Sequence, residues 1–166
     1  MPPNLPKYAR ALKAIPVSPD WDEITHSLSW LSPLDIDGVT IAGLQLRMTA
    51  QLHLPDEALM AQLEYHPFKG KPQQLVRVEW RPLSPHNNKN RGPLEWRLRE
   101  FRQTHVHRFS DNWFEAEHRM RGHNLPIAIP IQDVDSYNKF LDICREELNI
   151  ENVSIVPLPP WRPTML

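Results

Sequence analysis

Apolar and polar residues alternate without a break from Leu44 to Leu54. Leu44, Leu46, Met48, Ala50, Leu52 and Leu54 take one side, and Gln45, Arg47, Thr49, Gln51 and His53 take the other. A side-chain period of two predicts a strand with one buried and one wet face. Asp37-Gly38 ahead of it predicts a turn, and Gly43 marks a bulge or a strand start. The same period returns in Leu75–Leu83, where Val76, Val78 and Trp80 oppose Arg77, Glu79 and Arg81. It returns again where Leu94, Trp96 and Leu98 alternate with Glu95, Arg97 and Arg99, and Thr104–Phe109 reads as a further strand. Residues 55–66 carry two signals. Pro55-Asp56-Glu57 opens like a helix, yet Leu59, Ala61, Leu63 and Tyr65 alternate with Met60, Gln62, Glu64 and His66. A turn between two alternating runs builds a hairpin, which favours the strand.

Helical spacing predicts two helices. Trp21, Ile24, Leu28 and Leu31 share a face over Pro19–Leu31, with Ser18 or Asp20 as cap and Asp22 and Glu23 at the positive end. Tyr137, Phe140, Leu141, Cys144 and Leu148 share a face over Val134–Leu148, with Asp133 or Asp135 as cap and Asn149 as stop. This second helix is expected to pack on the Leu44–Leu54 face, and Val153–Val156 to form an edge strand. Pro2, Pro3, Pro6 and Pro16 predict an extended arm over residues 1–17, with at most one helical turn around Lys7–Lys13. Residues 157–166 form an extended Pro/Trp tail that packs through Trp161. The expected architecture is a single α+β domain over residues 18–156. An antiparallel meander of four to five strands carries a short N-terminal helix and a packed C-terminal helix.

Composition narrows the chemistry by exclusion. With 166 residues, 40% of them apolar, the chain has the length and apolar content for one packed core. Its lone cysteine, Cys144, excludes an internal disulfide framework and a cysteine-cluster zinc site. The opening segment Met1–Lys7 has no apolar stretch of signal-peptide length, and no window approaches the roughly 18 apolar residues of a membrane span. A cytoplasmic protein without membrane contact is the expectation. Neither GxGxxG nor GxxxxGK[ST] occurs, so no phosphate-cradling glycine loop is expected. Net charge is −1, but its distribution is uneven. Residues 71–108 hold nine basic side chains against three acidic ones. That segment is where RNA or another anionic substrate would bind. Trp80 and Trp96 share its apolar side, which assigns them to the core, while Glu79 and Arg97 are placed to pair across strands.

His105-Val106-His107 is the sharpest chemical signal. On a strand both imidazoles leave one face, with Val106 on the other. Such a pair serves as acid and base, or as two metal ligands. A metal requires a third ligand from His86, His118, His123 or Asp111, and none of these lies at a recognisable zinc spacing. The expectation is therefore no metal and no small-molecule cofactor. Arg77 on the preceding strand is placed to stabilise negative charge. His86 and Asn87, in the polar loop after it, and Arg108 are placed to hold substrate.

The order Val76-Arg77-Val78, His86-Asn87, His105-Val106-His107 resembles small bacterial domains, often encoded near mobile elements, with an Arg…His-Asn…His-x-His pattern. The likeness spans roughly residues 60–130. It implies that Arg77, His86, Asn87, His105 and His107 belong together, and implies no particular activity. Two functions follow as expectations. One is a small binding or assembly protein, a partner subunit or inhibitor working through protein contacts. The other is a metal-independent, ribonuclease-like hydrolase with His105 and His107 as acid and base and Arg77 as anion stabiliser.

Overall fold

The computed structural model describes residues 3–164. Met1 and Pro2 of the expected arm, and Met165 and Leu166 of the tail, lie outside the described residues. Helix α1 (Leu5–Arg10), capped by Asn4, leads into β1 (Lys13–Ala14). The strands β2 (Asp22–Ile24), β3 (Ser27–Ile36), β4 (Val39–Gln51), β5 (Leu59–Tyr65) and β6 (Gln73–Trp80) then run as successive antiparallel hairpins. Asp37 and Gly38, both at positive φ (51° and 75°), close the β3–β4 hairpin. That backbone pair matches the right-handed strand twist. At Gly43, inside β4, an added Cβ would stand 2.2 Å from the His66 carbonyl oxygen, so only glycine allows the strands to meet there.

After β6 the chain makes a small lobe before returning to the sheet. The lobe holds β7 (His86–Asn87) paired with β8 (Glu100–Phe101). β9 (His105–His107) then joins the β6 edge in antiparallel register. Helix α2 (Phe109–Asn112) and the ribbon β10 (Trp113–Phe114) with β11 (Arg119–Met120) follow. β12 (Ile129–Pro130) pairs with β9. The main sheet thus runs β1-β3-β4-β5-β6-β9-β12, with β2 also on β3, eight strands in all. The α+β class and the antiparallel sheet are as expected. The strand number is larger, because β1, β2 and β12 are too short to show a period and the start of β3 carries helical spacing.

Helix α3 (Tyr137–Leu148) buries Tyr137, Phe140, Leu141, Cys144 and Leu148, the stripe its spacing predicts, and ends at Asn149 in the left-handed conformation. Its cap is Ser136 rather than Asp133 or Asp135, which instead pair with Arg81 and Lys139. The helix lies across β5 and β6, not on the Leu44–Leu54 strand. Trp80 decides this placement: its ring stacks on Phe140 at 5.4 Å and its Nε1 donates to the Val134 carbonyl. Among the described residues no helix is long and apolar enough to cross a membrane.

Three further expectations are corrected. The helix over Pro19–Leu31 is replaced by β2 and β3. Leu28, Trp30, Leu34 and Ile36 are buried at period two, while Ile24 and Leu31 of the supposed helical face are 70% and 49% exposed. Pairing with the whole length of β4 outweighs the local helical spacing. Leu94–Trp96 is a 3-10 turn rather than a strand, since no neighbouring strand pairs with it. Val153–Ile155 is likewise a 3-10 turn. The tail beyond it is held by its backbone: Trp21 Nε1 donates to the Pro157 carbonyl, and the Arg162 amide donates to the Leu52 carbonyl. Trp161 packs against Tyr137.

Candidate functional site

The sheet has two unlike faces. Leu46, Met48, Ala61, Leu63, Val76, Val78 and Val106 point to the helices and are buried. The opposite face carries Arg47, Gln62, Glu64, Arg77, Glu79, His105 and His107. Register brings the last four together: Arg77 lies opposite His107 and Glu79 opposite His105. Glu79 Oε2 is 2.8 Å from His105 Nε2 and 3.0 Å from His107 Nε2, and the two Nε2 atoms are 3.1 Å apart. Arg77 Nη2 lies 3.4 Å from His107 Nε2, and its Nε lies 3.5 Å from Glu79 Oε2 without a hydrogen-bond partner. Arg77 Nη1 donates to Gln62 and Gln74, which links the cluster to the buried Glu64 network beside it.

The lobe closes over the histidines and fixes their tautomers. The Nδ1 of His107 faces the Leu125 carbonyl at 2.7 Å, and that of His105 faces the Gln103 carbonyl at 2.8 Å. A carbonyl only accepts, so each Nδ1 carries a hydrogen and each ring turns its Nε2 toward Glu79. His86, at the start of β7, packs edge-on to His107 with ring centroids 4.9 Å apart. Its Nε2 donates to Asn88 Oδ1 at 2.8 Å and also faces the Pro126 carbonyl at 3.1 Å. Asn88 is fully buried and clamps both backbone groups of Ala128; Asn112 does the same to Ile127. These two amides hold the strip that presents the Leu125 and Pro126 carbonyls to the imidazoles.

Burial sets the charge states. It pushes His107 down to about 4, aided by the neighbouring Arg77 charge, and it also lowers His86. Burial opposes ionisation of Glu79, yet contact with His105 and His107 and the Arg77 charge hold its carboxyl well below the ordinary range. Near neutral pH an anionic Glu79 carboxylate therefore sits beside a neutral His107 ring. Arg77 and Glu79 also line an open cleft of about 330 Å³, with Thr49, Gln51, Met60, Leu83 and Ser84 around it. His105 and His107 are at most 1% exposed and do not line the cleft themselves; they lie behind Glu79, which does.

Sequence reasoning placed Arg77, His86, His105 and His107 together, and the structure puts them in one cluster. Two expected substrate residues lie outside it. Arg108 leaves the other face of β9 and pairs with Glu147 at 2.8 Å. Asn87 is exposed, and its side chain caps the Lys89 amide. Glu79 was missed as a site residue: its expected partner Arg97 instead donates to the Gly92 carbonyl. Its position two residues after Arg77 on an alternating strand was the available signal. Asn88 was missed because a second-layer amide leaves no pattern in sequence. His118 and His123 stand apart from the cluster, and only His86 among the candidate third ligands joins the His105–His107 pair. Among known proteins, no family model, curated protein or solved structure matches this chain.

Proposed function

We propose that this chain is a hydrolase acting on an anionic ester, with a phosphodiester such as RNA as the substrate class. One observation carries the reading. Glu79, His105 and His107 meet within 3.1 Å beside the Arg77 guanidinium, and Arg77 and Glu79 open onto a cleft. Perturbed titratable groups at a cleft floor are the ordinary mark of a reactive centre. Water would attack the phosphorus, forming one P–O bond while the bond to the leaving alcohol breaks. The proton released by water passes to the Glu79–imidazole group, and the leaving alcohol takes a proton in return. Arg77 places fixed positive charge beside the phosphoryl oxygens as charge builds on them.

The surroundings supply further support. Among the described residues Lys71, Lys89, Arg91, Arg97, Arg99 and Arg102 make no ion pair, so the basic segment keeps cations for a polyanion. Trp80, buried under α3, offers no stacking surface.

The test is a purified-protein assay on a generic phosphodiester and on short RNA. Glu79→Gln and Arg77→Ala are each expected to lose about 100-fold in kcat/KM while keeping the far-UV spectrum and melting point. An inert wild type, or variants as active as wild type, ends the reading. A second reading, protein docking, draws on Leu94 and Leu98, which stand 80% and 72% exposed on the basic lobe. It is separated by a Leu94→Ser/Leu98→Ser pair, which leaves hydrolysis intact if the cleft is the working site.

A further inference from the structure

We infer that His86, His105 and His107 form a binding site for one divalent transition-metal ion of the zinc type, with Glu79 as a fourth donor. The inference rests on the hydrolytic reading and revises it at one point: an ion held here would activate the water, and His105 and His107 would be its ligands rather than the proton acceptor; the site itself stands on its own geometry.

The first ground is a count of lone pairs. With both Nδ1 hydrogens committed to carbonyls, His105 Nε2, His107 Nε2 and Glu79 Oε2 converge at mutual distances of 2.8, 3.0 and 3.1 Å, and with one hydrogen per ring all three are acceptors. Acceptors at that spacing repel unless a cation sits among them. A proton serves one edge of the triangle at a time. An ion with bonds of 2.0–2.2 Å in tetrahedral geometry sets its ligands about 3.3 Å apart and serves all three edges. Arg77 does not fill this role: it stands outside the triangle, with Nη2 3.4 Å from the His107 corner and Nε 3.5 Å from the Glu79 corner without a hydrogen bond, and it does not reach the His105 corner.

The second ground is the outer layer. A histidine that binds a metal through one ring nitrogen donates from the other to a carbonyl or amide oxygen, which fixes the ring. All three histidines do so, to Gln103 O, Leu125 O and Asn88 Oδ1. The Asn88 oxygen is oriented in turn by the Ala128 amide. Each of the three rings brings a donor nitrogen within 4.8 Å of the others.

The donor set selects the ion. Imidazoles with one carboxylate suit zinc, cobalt, nickel or iron, whereas magnesium and calcium require more oxygen. An ion here would lower the pKa of a bound water toward neutrality at the edge of the cleft.

The experiment titrates chelator-treated, full-length protein with zinc alone by calorimetry, and with cobalt(II) by visible absorption. One equivalent with sub-micromolar affinity and a tetrahedral cobalt spectrum is expected. His86→Ala, a change in a half-buried ring, is expected to weaken zinc about 100-fold, and Asn88→Ala at least about 10-fold. Melting curves of each variant confirm that it is folded. The exposed pair His26 and His53, with ring nitrogens 3.2 Å apart, is the competing surface site. His26→Ala/His53→Ala must leave the affinity unchanged. Loss of binding in that pair, unchanged binding in folded His86→Ala, or no binding at micromolar zinc overturns the inference. The two readings fail separately. Hydrolysis that persists in metal-free protein removes the metal and keeps the hydrolase. Tight zinc without hydrolysis keeps the site and removes the hydrolase.

Discussion

At the scale of single residues, the sequence announces side chains but not what faces them. His105 and His107 were legible because two residues apart on a strand means one face. The donation of their Nδ1 hydrogens to backbone carbonyls was not legible, because carbonyl positions belong to the folded lobe. Lys13 makes the same point. It is 1% exposed and donates to the Tyr8, Ala9 and Ala11 carbonyls at the end of α1, with no carboxylate beside it among the described partners. Burial lowers its ammonium to about 8 from an ordinary 10.5. The unfolded chain therefore binds the proton more tightly than the folded one between those values. Stability should rise with pH across that window, by at most about 3 kcal/mol, and should carry the full penalty below it. Urea unfolding at steps from roughly pH 7.5 to roughly pH 11, on either side of both values, will show an upward slope. Lys13→Met will flatten the slope, whatever it does to the absolute value. A slope that survives in that variant places the titration elsewhere.

Elements divide by length. β4, β5 and β6 were readable because each runs through several periods, and α3 because its apolar stripe spans three turns. β9 was readable by its paired histidines alone. β1, β12 and the β7–β8 ribbon are two-residue strands, whose pairing depends on partners remote in sequence. Pro19–Leu31 misled because Trp21, Ile24, Leu28 and Leu31 satisfy a helix while Leu28, Trp30, Leu34 and Ile36 satisfy a strand, and the long β4 edge chose between them. The Leu94–Leu98 alternation misled for the opposite reason: it is real, but nothing lies alongside to pair with it. There Leu98 holds φ at 57°, is 72% exposed, and donates its amide to the Lys89 carbonyl. A leucine in the left-handed region costs about 1–2 kcal/mol that glycine avoids. Leu98→Gly should therefore raise the urea midpoint, by an equivalent of up to about 1 kcal/mol after glycine's added chain entropy. A lowered midpoint would mean the exposed leucine is packed against something in solution, and would favour the docking reading of this lobe.

Across the whole molecule, the sheet separates stability from chemistry. β6 carries both: Trp80 and Val78 face α3, while Arg77 and Glu79 face the cleft. Because successive side chains leave opposite faces, a change on one side need not disturb the other. Phe140→Ala removes the ring stacked on Trp80 and opens a cavity in a fully buried layer, at an expected cost of about 3–5 kcal/mol. Zinc affinity measured well below the melting point should nevertheless stay as in wild type. Glu79→Gln should do the reverse, weakening zinc with a far smaller change in melting point. The two effects then meet through linkage. A ligand that binds only the folded chain adds about 2.7 kcal/mol of stability at 100 times its dissociation constant. Zinc at that excess should restore more than half of what Phe140→Ala loses, and should restore only about 0.4 kcal/mol when His86→Ala is added to the same protein. Equal rescue with and without His86 would place the zinc on another part of the surface. An affinity that falls in step with Phe140→Ala stability would show that the cleft face is assembled only by the core beneath it, and not by its own clamps at Asn88 and Asn112.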